Sequence, residues 1–567
     1  MLEDFSQQNL SNLAWAFAAL AVWHGPLLAS TSAEALRKID EFLPQGIANM
    51  SWSVARLEMI DSPLLAALSE AALRLIDEFQ PQNLVNIAWA MAKLSVSDQP
   101  LLEAISASSI AKMQQFHAQL ISNLAWSFAT RDVQDSPLMH ALSSAAIRRS
   151  KDFQSQDMAN TAWSFATRLI RDLPLFAAIS SEAMAKNAEM RSQNLSNLAW
   201  AFATCRVMDT PLLESLSAAA IPIIHEFDIQ GLANSAWSLA SLLLPHLPLF
   251  SHIQRVLLTV VEGVAPRLAP DRQAADVYSE VARYANHLCQ LIWSFSFAAR
   301  LHLRGEFASQ LRAALLQSGL DLDRANATLA GRPKADLPQH LLPPCPPEGP
   351  VKEPLIQLKL RGIAVVLKPP TWEVDAKGQL SSSGYYLSHF MRRANEPNIS
   401  SVLCLADFEY GFIHRLDVPS SGLILTGTDF QGYALLQWQM HTYTIGREYS
   451  VLVCHLVPSE LQDINAPVHD FLPGQSFVDE VSGRPAETHL KILFHVLHRQ
   501  RFSREGFGLV GISIHTGRRH QIRVHMQWEG HPTVTDEKYS RSTVEVNSHG
   551  LELHLTSNFL KRPREKK

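Results

Sequence analysis

Residues 512–532 read ISIHTGRRHQIRVHMQWEGHP, and Arg518, Arg519, His520, Arg523 and His525 crowd together between two apolar stretches. Cationic side chains this close repel one another, so the pattern calls for an anion or a buried carboxylate beside them. The competing reading is a solvated basic surface. A carboxylate is on offer in GFIHRLDVPSSGLILTGTD, residues 411–429, where Asp417 follows His414 and Arg415 in a polar turn that feeds an apolar strand. A close arginine keeps such a carboxylate ionised. Signatures of other chemistries are missing: the chain has no GxxxxGK[ST] and no CxxC. Its five cysteines are widely spaced and odd in number, which indicates neither a disulfide framework nor a zinc site. No cofactor and no metal are expected.

The elements that must hold these residues begin at about residue 356. Short β-rich runs (GIAVVL, SGLILTG, YSVLVCHL, GLVGISIH) alternate with helical pieces such as FQGYALLQWQMHTY, the pattern of a mixed α/β (α+β) domain over 356–567. Before it, residues 301–355 break every period. Their GRPKADLPQHLLPPCPPEGPVKEP holds eight prolines and reads as a stiff, Pro-rich linker.

Residues 1–300 are a tandem array. Trp15, Trp52, Trp89, Trp126, Trp163, Trp200 and Trp237 recur every 37 residues, with Trp293 after one insertion, and the prolines from Pro26 to Pro248 keep the same step. Each unit predicts two helices. One opens with Pro63 or its equivalents behind a capping Asp61 or Ser62, and the next follows as in PQNLVNIAWAMAKL. Such units bury their apolar faces on their neighbours, which is an all-α solenoid. On a helical wheel Leu10, Leu13, Phe17 and Leu20 share one stripe, and Trp15 points the other way with Asn12 near it. Two accounts of that second face stay open. In one, Trp packs on the next repeat and Asn satisfies a backbone group; in the other, Asn12, Asn49, Asn86, Asn123, Asn160, Asn197 and Asn234 form a ligand-facing ladder with the indoles.

Charge divides the chain the same way. Residues 1–300 carry 20 Lys+Arg against 27 Asp+Glu, whereas 351–567 carry 24 against 22 together with 14 of the 23 histidines. The acidic array argues against a broad phosphate-tracking surface. No apolar run reaches the roughly eighteen residues of a membrane span, and MLEDFSQQNLSN has neither the basic nor the apolar segment of a secretory signal. A soluble intracellular chain is expected, in a mitochondrion or plastid or alternatively the cytoplasm, with no membrane partner. The start already matches the end of a first helix, so the sequence opens inside a repeat.

Two resemblances add to this. The NLAWAFA units are similar to the heptatricopeptide-type 37-residue repeats of organellar RNA-binding proteins, which implies RNA binding. The ordered blocks HRLD…SSGLIL, REYSVLV, PAETHLKIL and HTGRRHQIRVHMQWEGHPTVTDEKYS, with Lys368 and Pro369 in VVLKPPTWEV, resemble RluA-type RNA pseudouridine synthases. That resemblance implies an isomerase acting on uridine in structured RNA, rRNA or tRNA. It makes Asp417 the essential aspartate, Arg415 the arginine that helps extrude the nucleotide and Tyr449 the ring that stacks on the base. Arg523 would pair with the aspartate, and Arg518 and His520 would meet the substrate. Arg519 and Thr535-Asp536 depart from the family pattern. The alternative is a scaffold binding RNA, or a protein on the solenoid, with a weak or inactive synthase domain.

Overall fold

The computed structural model describes residues 4–539 apart from short stretches, chiefly 264–273, 331–351, 376–384, 396–400 and 470–475. The tail KRPREKK and nearly all of the Pro-rich segment lie outside the described residues. The chain divides into two compact units, Met1–Thr444 and Ile445–Lys567. No helix among the described residues is long and apolar enough to cross a membrane.

The repeats form as helix pairs. Their first helices (Ser62–Arg74, Gln99–Ala111, Ser136–Arg148, Leu173–Ala185 and Thr210–Ala220 among them) carry proline in the first turn. Each is capped by an aspartate, Asp61, Asp98, Asp135, Asp172 or Asp209, that accepts from the amide three residues on at 2.9–3.1 Å. Such a cap contributes about 1 kcal/mol. The second oxygen of Asp61, Asp98 and Asp172 also accepts from Ser32, Ser69 and Ser143 of the preceding repeat. One side chain therefore starts a helix and ties it to its neighbour.

The second helices (Gln7–Ala19, Pro44–Arg56, Pro81–Lys93, Ala118–Thr130, Ser155–Thr167, Ser192–Thr204, Ile229–Ser241) pack side by side down the array. Leu10, Ile47, Leu84, Ile121 and Leu195 are buried between layers, whereas of the other residues on the Leu10 stripe Leu13 and Phe17 are half-buried and Leu20, at the helix end, is 75% exposed. The opposite face is open to solvent. Trp15 is 49% exposed and the later tryptophans are half-buried, with Trp52 on Trp89 at 6.3 Å and Trp163 by Trp200 at 6.4 Å.

The array does not stop at residue 300. Helix Ala274–Ala298 is followed by Gly305–Ala330, a helix inside the stretch read as linker. This last helix runs against Phe430–His441, which follows the third strand of the adjoining sheet. A Cβ at Gly319 would lie 2.7 Å from the carbonyl oxygen of Phe430, so only glycine permits the approach. One turn on, the Asp323 carboxylate accepts from the amides of Phe430 (2.9 Å) and Gln431 (3.0 Å), capping that helix across 107 residues of sequence. Val281 and Leu322 are buried with Ala364, Val366, Ile424 and Phe430 in one core.

That core lies under an antiparallel sheet in the order β1 (Leu355–Leu360), β2 (Ile363–Lys368), β3 (Gly422–Gly427). In the second unit, β4 (Glu448–Cys454), β5 (Asp463–Asn465), β8 (Glu487–Arg499) and β9 (Arg504–Ile514) form a sheet ordered β4-β9-β8-β5, with β6 (Val468–His469) and β7 (Phe477–Val478) as a small pair. Helix Gln521–Trp528 follows β9.

Candidate active site

Of the six candidate residues, Arg415 and Asp417 belong to the first unit and Tyr449, Arg518, His520 and Arg523 to the second. Asp417 is half-buried in the loop that enters β3. Its backbone carbonyl accepts from Ser420 (3.0 Å), and the carbonyl of Val418 accepts from the amide of Thr371 (2.9 Å). Beneath this loop Lys368, the last residue of β2, is fully buried. Its ammonium donates to the carbonyls of Pro369 (3.1 Å), Val418 (3.2 Å) and Ser420 (2.6 Å). Burial pulls the lysine from 10.5 down to about 8, and the charge of Asp417 pulls it back up. A buried cation therefore fixes Val418 and Ser420, just after the carboxylate, and faces it electrostatically.

The rest of the HRLD block is anchored from β3. The Leu425 amide donates to His414 Nε2 at 3.1 Å, so that nitrogen acts as an acceptor. Arg415 is exposed and lies 3.9 Å from Glu373, an ion pair too open to hold it still. It is placed to reach outward.

In the second unit the basic cluster is organised by residues the sequence reading passed over. Arg523 points both its Nε (2.6 Å) and one terminal nitrogen at the Asp536 carboxylate, a fork-to-fork pair, and stacks 4.8 Å over the Tyr539 ring. Thr533 donates to the same carboxylate at 2.7 Å. The carboxylate that holds Arg523 within its own unit is therefore Asp536. The sequence shows this residue only as a departure from the family pattern. His520 sits in the left-handed region at φ 55°, and its Nδ1 lies 2.7 Å from the Tyr539 hydroxyl. A left-handed non-glycine costs about 1–2 kcal/mol and persists where its surroundings impose it.

Arg518 Nε donates to the carbonyl of Pro485 (3.1 Å), and Arg519 Nε to the hydroxyl of Ser476 (3.3 Å). His525 is buried between Thr488 and the carbonyl of Ala466, and burial lowers its pKa, so it is a structural member of the cluster. Gln521, also buried, accepts from Thr516 (2.9 Å) and the Arg518 amide (3.0 Å), and donates to the Glu487 carbonyl (2.9 Å). It fixes the arginine loop to β8. Tyr449, on β4 opposite Ile512 of β9, is partly buried against the sheet core.

Residues 362–528 match the RNA pseudouridylate synthase family, and residues 3–262 match the RNA-editing substrate-binding complex 6 protein family. An uncharacterized RNA pseudouridine synthase of Bacillus subtilis, YlyB, is 36% identical over 143 residues, 25% of this chain and 45% of that protein. The dual-specificity RNA pseudouridine synthase RluA of Vibrio parahaemolyticus is 32% identical over 156 residues, 27% of this chain and 60% of that protein. The chain thus spans less than two thirds of either relative. Among solved structures, human RNA pseudouridylate synthase domain containing 1 aligns at 20% identity and a TM-score of 0.26, over 34% of this chain and 72% of that one. Residues 362–528 are a domain of the RNA pseudouridylate synthase family with RluA-type relatives, set behind a helical-repeat region.

Proposed function

We propose that this chain isomerises uridine to pseudouridine in structured RNA, rRNA or tRNA, and that its repeats help to choose the RNA. The observation that carries the reading is the Asp417 loop, held by a buried lysine inside a segment of this family. The reaction breaks the bond from the ribose C1′ to N1 of uracil and turns the base. It then joins C1′ to C5, with the C5 proton lost and one gained at N1. No electrons and no group from outside are needed.

Asp417 is the carboxylate assigned to the reacting nucleotide. Arg415, exposed beside it, is assigned to the space the base leaves. Extruding a base costs a few kcal/mol, offset by stacking on an aromatic ring and by phosphate contacts. Tyr449 is assigned the stacking role, and Arg518, His520 and Arg523 the contacts to the strand. The test is tritium release from RNA labelled at C5 of uridine, using cellular RNA fractions that lack the modification. One tritium released per modified site is expected. No release from any fraction, at protein concentrations that bind the RNA, would favour a scaffold with an inactive domain.

A further inference from the structure

The open face of the array carries more than asparagine and tryptophan. Four residues before each asparagine stands a glutamine: Gln8, Gln45, Gln82, Gln119, Gln156, Gln193 and Gln230, every one exposed. Positions i, i+4 and i+7 fall on one stripe of a helix, so each second helix presents glutamine, asparagine and tryptophan in a line. The eighth helix, after the insertion, keeps the chemistry with the amides exchanged: Asn286, Gln290, Trp293. Folding does not require this. Among the described residues Gln119, Gln156, Gln193 and Gln230 make no side-chain hydrogen bond, and Asn123, Asn160 and Asn197 likewise none, so at these positions the amides do not satisfy buried backbone.

Neighbouring rungs touch. Gln82 donates to Asn86 at 2.8 Å within a rung, and Gln290 to Asn234 at 3.5 Å between rungs. Two neighbouring pairs of indoles, Trp52 with Trp89 and Trp163 with Trp200, stand 6.3 and 6.4 Å apart, about twice the roughly 3.4 Å rise of nucleotides stacked along one strand.

An amide side chain offers an adjacent donor and acceptor, which the edge of a base answers, and an indole offers a stacking face. The step fits an extended strand in which each base leaves its neighbour and lies on an indole. Residues 1–300 have more acidic than basic side chains, so the face suits bases better than a run of phosphates. An enclosed duplex would hide the base edges this stripe addresses.

Above all, the rungs are alike. An array that read a mixed sequence would vary its amide positions, and this one does not. We propose that the Gln–Asn–Trp stripe binds a homopolymeric run of single-stranded RNA, one nucleotide per repeat, with the same base favoured at every rung. The inference rests on the reading of the chain as an RNA-modifying protein and names the RNA feature that its repeats select.

The full chain is titrated against fluorescein-labelled 12-mers of U, of A, of C and of mixed sequence, and against a 12-base-pair duplex, by fluorescence anisotropy. One homopolymer should bind at least tenfold more tightly than the mixed strand and the duplex, with affinity levelling off near eight nucleotides for the eight rungs. Gln119, Gln156 and Gln193 changed together to Ala should lose at least tenfold of that affinity with an unchanged circular dichroism spectrum and melting temperature. Equal binding of the mixed strand, or a triple variant that binds like wild type, overturns the proposal. Absence of binding to every single strand also overturns it and leaves an extended peptide as the better occupant. A chain that prefers one homopolymer but releases no tritium from any RNA refutes the synthase reading alone, and one that releases tritium without any preference refutes this inference alone.

Discussion

Changing Lys368 to methionine keeps the length of the side chain and removes the ammonium that pins the Asp417 loop. Three carbonyls, those of Pro369, Val418 and Ser420, lose their donor. Each hydrogen bond from a charged donor contributes about 1.5–3 kcal/mol. Against this stands the burial of the cation: a fall from 10.5 to about 8, at about 1.4 kcal/mol per pH unit, costs the fold about 3 kcal/mol below pH 8. The two effects offset in part, so the variant should fold, weakened by about 1.5–6 kcal/mol. Catalysis has no such compensation. A displacement of about 1 Å at a reacting group costs on the order of a hundredfold, and that loss is expected in kcat with RNA affinity within a few-fold.

The pH dependence separates positioning from packing. Between pH 8 and 10.5 the unfolded chain holds a proton that the folded chain has released, so this lysine makes unfolding free energy rise with pH across that window. Turnover moves the other way, because the neutral amine has two N–H groups for three carbonyls and one contact must lapse. Tritium release and urea unfolding, both measured from pH 6.5 to 9.5, give the comparison as wild type minus Lys368→Met. An alkaline decline in turnover that is unchanged in the variant, or a variant of normal kcat, would refute the role given to Lys368.

Three further outcomes follow from named contacts. Asp417→Asn should abolish tritium release while RNA affinity stays within a few-fold; a tenth of wild-type turnover would remove Asp417 from the chemistry. Arg523→Ala strands the Asp536 carboxylate, whose side chain is only 4% exposed, and should cost about 3–5 kcal/mol in urea unfolding, whereas an unchanged midpoint would mean that water replaces the arginine. Gly319→Ala drives a methyl group into the backbone at Phe430 and should cost about 1–3 kcal/mol, read as a lowered melting temperature.

The solenoid was legible because one period governs every signal: tryptophan, proline and the capping aspartate all step by 37. Asp61, expected as a cap, is one. Helix Gly305–Ala330 was missed although Phe307, Leu311 and Leu315 stand four apart on one face and are buried. The prolines just beyond it dominated the reading, and composition over a long window hides a helix at its edge. Arg523 was read as needing a carboxylate, and it has one. The carboxylate that holds it within its own unit, Asp536, is oriented by Thr533 and Tyr539, and no spacing rule encodes that arrangement. Lys368 showed only as half of a lysine-proline pair, since nothing local tells a buried lysine from an exposed one.

The same missed helix changes what a shortened chain should do. Asp323 caps Phe430–His441, and Gly432 of that helix lies so close to the β1–β2 turn that a Cβ would meet the Gly362 carbonyl oxygen at 1.8 Å. From that turn β2 runs to Lys368, and Lys368 holds the carbonyls of Val418 and Ser420 just after Asp417. The end of the array is thus joined to the carboxylate loop by packed elements and not by a tether. A fragment of residues 351–567 loses Val281, Leu322 and the Asp323 cap. At about 1.5–3 kcal/mol for each buried aliphatic side chain and about 1 kcal/mol for a cap, the loss is a large share of the 5–15 kcal/mol that holds a typical domain together. A fragment of residues 274–567 keeps all three. The longer fragment should melt cooperatively and release tritium from a small stem-loop, while the shorter one melts at least 10 °C lower, or over a broad range, with turnover reduced to match. Equal melting and equal turnover of the two would show that the last helices of the array only lean on the synthase domain and are not part of its core.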